Sequence, residues 1–131
     1  MLVDLQLPVD GAAFRLNDGQ TIDDALAQAN DMLAKEAKKH FGAGKVTVGR
    51  LDDGRFYFRH LMLGTMIRVP DELAISAQRE LLHSVLPAVR IAPPAGQDPV
   101  DGVHGIWARQ SWVDGFVARE SQKKFQMIEV A

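Results

Sequence analysis

The chain has 131 residues, 47% of them hydrophobic and 24% charged, with a formal net charge of −2 and no cysteine. That length suits one domain able to bury a core without a covalent staple, and the missing cysteine excludes disulfides, thiolate metal sites and cysteine nucleophiles. Positive and negative residues balance in both halves, so neither carries the basic footprint of a duplex-DNA binder.

Val3, Leu5 and Leu7 alternate with Asp4 and Gln6, the period-2 pattern of a half-buried strand that Pro8 would end. No basic leader precedes this strand, and Asp4 interrupts any apolar run, so no secretory signal is expected. The greasiest stretch, residues 61–67, is far short of the roughly 20 residues that span a bilayer. A soluble cytoplasmic protein without a membrane partner is expected. Asp10-Gly11 signals a turn, after which Phe14-Arg15-Leu16 returns as a second strand.

Residues 22–41 predict a helix. Ile22, Leu26, Ala29, Leu33, Ala37 and Phe41 fall three or four apart on one apolar stripe. Thr21 with Asp24 resembles a capping box. Lys35, Lys38, Lys39 and His40 suit the negative end of the dipole, and Gly42 is a stop.

Residues 45–51 and 55–63 read as a hairpin around Asp52-Asp53-Gly54. A three-residue loop pairs Leu51 with Arg55, and so sets Val48 against Phe58, Val46 against His60 and Tyr57 over Gly49. Gly64 marks a bend before a further strand at 65–69. A second helix, about 72–86, is stopped by Pro87. Residues 92–105, with three prolines and three glycines, read as irregular. Trp112 to Val117 suit a hairpin on Asp114-Gly115, with a helix over 107–117 as the alternative, and 125–130 suit a closing strand. The chain is therefore expected to form a single α+β domain over 1–131. Its sheet would be mostly antiparallel, of about five or six strands, with two α-helices packed on one face.

No glycine-rich phosphate loop, nucleophile elbow or zinc-protease motif occurs, so no catalytic residue, metal or cofactor is assigned. The expected function is a small non-enzymatic interaction protein, a regulator, inhibitor or assembly factor, binding a protein partner. Two features carry that expectation. Arg55, Tyr57 and Arg59 form one face of a strand whose other face is phenylalanine. Trp107 and Trp112 flank Arg109, and Trp and Arg are enriched in interface hot spots. The arginine row also suits single-stranded nucleic acid, with guanidinium groups and a phenol offered to phosphate and base. A third class is a small-ligand or metal-binding enzyme using His60 and His104, with Asp101 three residues before His104. Homodimerisation through a strand edge is a further option.

Overall fold

The computed structural model describes residues 2–6, 22–42, 45–93, 95–96, 98–99 and 102–130. Among these, six strands form one sheet: β1 (Leu2–Gln6), β2 (Val46–Arg50), β3 (Phe56–His60), β4 (Gly64–Arg68), β5 (Ala88–Ala92) and β6 (Gly105–Arg109). Their spatial order is β1-β5-β6-β4-β3-β2. Only β1 and β5 run parallel, and the other four pairings are antiparallel. Three helices complete it: α1 (Ile22–Phe41), α2 (Ala74–Leu82), entered through a 3-10 turn at Asp71–Leu73, and α3 (Gln110–Val130). None among the described residues is long and apolar enough to cross a membrane.

The α+β expectation holds, and the sheet is mostly antiparallel as expected, with the one parallel pair making it mixed. The helices differ from expectation in number and placement. Leu33 and Ala37 of α1 pack with Leu5, Val46, Phe58 and Trp107 on one face. On the other face, Ala77 and Leu81 of α2 and Val113 and Phe116 of α3 pack with Ile67 and Ala108. Two helices therefore share one face and a third covers the opposite one. A sheet so covered is buried on both sides, and β4 and β6 carry adjacent buried residues where an amphipathic strand would alternate.

The β2–β3 hairpin has the expected register. Val46 faces His60, Val48 faces Phe58 and Gly49 faces Tyr57. The Leu51 amide donates to the Arg55 carbonyl at 2.7 Å, closing the three-residue loop. Since Leu51 bonds inward, the alternate residues of β2 point their backbone groups away from β3. At the middle of that free edge the Val48 amide donates to Asn30 Oδ1 on α1.

The second half of the chain departs most. A strand at Ala88–Ala92 sits between Pro87 and Pro93, where the sequence reading placed only the end of a helix and the start of a loop. Trp112 to Val117 are helical, correcting the hairpin, and the expected closing strand at 125–130 is the far end of α3. Asp114 and Gly115 lie on the exposed side of α3, while Val113 and Phe116 are fully buried. Glycine inside a helix costs about 1 kcal/mol, whereas burying one large apolar side chain contributes roughly 1.5–3 kcal/mol. Packing outweighs the turn preference. The return strand expected at 14–16 lies outside the described residues.

Candidate functional site

The arginine row does not stand free. Arg55 just precedes β3. Its Nε donates to Asp53 at 2.6 Å and its Nη1 reaches Asp114 on α3 at 3.0 Å. Its backbone amide, ahead of its guanidinium, holds the Asp53 carboxyl below the ordinary carboxylate range. Tyr57 is half-buried and packs against the α2–α3 core. Its ring lies across Gly49, where an added Cβ would come within 2.8 Å of the phenol oxygen. Arg59 alone of the three is exposed, with Nε donating to Thr65 Oγ1 at 3.2 Å.

The two tryptophans diverge to opposite faces of the sheet. Trp107 is buried beside Phe58, ring centroids 5.5 Å apart, and its Nε1 donates to the Val103 carbonyl at 2.8 Å. Trp112 stacks on Phe116 of its own helix at 5.0 Å and joins the other core. Both act in packing. Arg109 between them is exposed, and its side chain makes no hydrogen bond or ion pair to another described residue.

His60 and His104 are both buried, at opposite ends of β4. His60 faces Gly64 at its start. The carbonyl of His104 accepts from Arg68 Nε, at its end, at 2.7 Å. They do not converge on one pocket. Burial, and then the Arg68 guanidinium, push the His104 imidazole below its ordinary 6.5. His60 Nδ1 accepts the Met62 amide at 3.1 Å, and its buried Nε2 has no partner among the described residues. Asp101 lies outside the described residues. No group of three or more His, Asp or Glu able to hold a metal occurs among the described residues.

What the fold does assemble is a cleft of about 410 Å³ at one end of the sheet. One wall is the β3–β4 connection, residues 61–65; the other is residues 109–111, where β6 passes into α3. Sheet order makes them neighbours: β4 lies between β3 and β6, and Met66 pairs with Arg109. Leu61 and Met62 are 77% and 69% exposed. Arg109 lines the cleft, and Thr65, which also lines it, accepts from Arg59 Nε. The His60–Met62 bond fixes the turn that carries the two apolar side chains. Three tight links, from Met62 to His60, Leu63 to the His60 carbonyl and Leu61 to the Lys45 carbonyl, hold this wall.

Of the six residues singled out from the sequence, Arg109 lines this cleft; Arg59, opposite Thr65, stands on the α2–α3 face, whereas Arg109, opposite Met66, stands on the α1 face. Leu61 and Met62 were missed as site residues because their run reads as a buried strand end. No protein-family model, curated protein or solved structure matches the chain.

Proposed function

We propose that the protein is a small non-enzymatic interaction module, of the kind that regulates, inhibits or assembles, and that it docks a protein partner at the cleft between residues 61–65 and 109–111. The observation that carries this is the pair Leu61 and Met62, held outward on a hydrogen-bonded turn beside a cavity. Large apolar side chains exposed together on a tethered turn cost solvation, and an interface that covers them recovers it. Arg109 in its wall adds directionality and association rate. A cleft of this size accepts one or two side chains of a partner.

The test is site-specific photo-crosslinking in the producing cell. A crosslinker at position 62 is expected to trap a discrete partner, and one at Asp52, in the loop at the opposite end of β3, is not. Equal trapping at both positions, or none at 62, overturns the assignment.

Arg59 and Arg109 also favour a second reading, binding of single-stranded nucleic acid. That reading expects salt-dependent affinity that falls on Arg59→Ala. The half-buried position of Tyr57 gives it less support, because base stacking needs an open ring face.

A further inference from the structure

We infer that the partner segment seated in this cleft is acidic and amphipathic: a peptide stretch that inserts an apolar side chain between Leu61 and Met62 and brings a carboxylate to Arg109. The inference rests on the docking reading above and specifies its chemistry. It starts from a charge pattern that the near-neutral composition conceals. The topology gathers cations at one end of the sheet. Arg59 stands at the end of β3 and Arg109 at the end of β6. Lys45 precedes β2 and its carbonyl accepts the Leu61 amide. The last turn of α1, with Lys38, Lys39 and His40, reaches the same end, since Phe41 lies 5.7 Å from His60.

Carboxylates are missing from the cleft walls. Residues 61–65 and 109–111 include no Asp or Glu. Glu36, on the last turns of α1, pairs with Lys39 at 3.2 Å and so offsets one of the cations at this end. Acidic side chains collect instead at the other end of the sheet, with Asp52 and Asp53 in the hairpin loop and Asp71 and Glu72 after β4. A chain of net charge −2 thus presents a cleft whose one charged lining residue is Arg109, beside the exposed Leu61 and Met62. The complement of that cavity is an anionic segment with an apolar anchor, and arginine binds a carboxylate in a two-pronged geometry.

Two other anionic partners fit less well. Leu61 and Met62 are the two exposed large apolar side chains of this cleft, and affinity for a bilayer surface scales with the apolar area buried, which two side chains supply sparingly. No aromatic residue lines the cleft, so nucleobases find no stacking platform there.

The experiment is selection of a random peptide library on the intact protein, followed by affinity measurement on an enriched peptide. Enriched sequences are expected to place Asp or Glu beside a bulky apolar residue. Converting those acids to amides is expected to weaken binding about tenfold, the size of one good charge-assisted contact. Raising the salt concentration should weaken it further. Neutral or basic enriched peptides that still lose affinity on Leu61→Ser would overturn the acidic class while leaving the docking site standing. Acidic peptides indifferent to Leu61→Ser and Met62→Ser would overturn the site itself. Phosphatidylserine vesicles and a single-stranded oligonucleotide serve as rival probes. Binding of either that needs Leu61 and Arg109, with no peptide enriched, also overturns the inference. Both serine substitutions fall on exposed side chains, so the variants fold.

Discussion

The phenol of Tyr57 lies against Gly49 on the neighbouring strand, so close that a methyl group on Gly49 would come within 2.8 Å of its oxygen and 3.0 Å of its ring carbons. This contact locks the β2–β3 register and turns Tyr57 toward the α2–α3 core. It is also why the residue is a packing element here rather than a ligand-stacking one.

Gly49→Ala is expected to destabilise the protein by about 1 kcal/mol, because the ring must shift against its neighbours. In a Tyr57→Ala background the same change should be neutral or stabilising, since alanine suits a strand better than glycine. Urea titration of the four-member cycle reads the coupling directly. Additive effects would show that the ring moves aside freely.

The hairpin was legible in the sequence because two independent constraints agreed. The loop Asp52-Asp53-Gly54 set the offset, and apolar matching of Val48 with Phe58 confirmed it. The 22–41 helix was legible for a like reason, a continuous apolar stripe with Gly42 at its end. The rest was not, for physical reasons that differ from place to place. In α3 the Asp114-Gly115 pair imitates a hairpin turn, and only burial of Val113 and Phe116 decides otherwise. In β5 two flanking prolines imitate a loop. The cleft was beyond reach because its walls are far apart in sequence and meet only through the placement of β6 beside β4.

Gly105 holds φ +141°, and a Cβ there would lie 2.9 Å from Arg68 Nε. That nitrogen donates to the His104 carbonyl while the other end of the guanidinium bonds Asp71. Gly105→Ala is therefore expected to cost about 2 kcal/mol from strain and crowding together. Adding Arg68→Ala should relieve the crowding but not the backbone strain, so recovery by chemical denaturation should be partial. Full recovery would mean that the backbone is unstrained.

His104 predicts a pH dependence of stability. Its folded value lies below the ordinary 6.5, so the unfolded chain takes up the proton more readily. Its contribution is whole above the unfolded value of about 6.5 and is lost as pH falls from there through the folded value. Unfolding free energies measured at about pH 7.5 and about pH 5 should differ less for His104→Asn than for the native chain. An unchanged difference would show that other groups govern acid unfolding.

Removing the His60 ring nitrogens by His60→Phe has two opposed effects. It deletes the acceptor for the Met62 amide and also a buried Nε2 that has no partner among the described residues. Net stability should stay within about 1 kcal/mol. Hydrogen exchange at the Met62 amide should rise, and peptide binding at the cleft should weaken as the turn loosens. Unaltered exchange would remove His60 from any role in holding that wall.

The most direct measurement compares two matched arginine removals with one peptide selected on the cleft. Arg55 is occupied by Asp53 and Asp114, and exposed pairs of that kind contribute at most about 1 kcal/mol to stability. Arg109 lines the cleft. Arg109→Ala should raise the peptide's Kd about tenfold, while Arg55→Ala should leave it unchanged. Equal affinities for the two variants, or a larger loss at Arg55, would contradict the account.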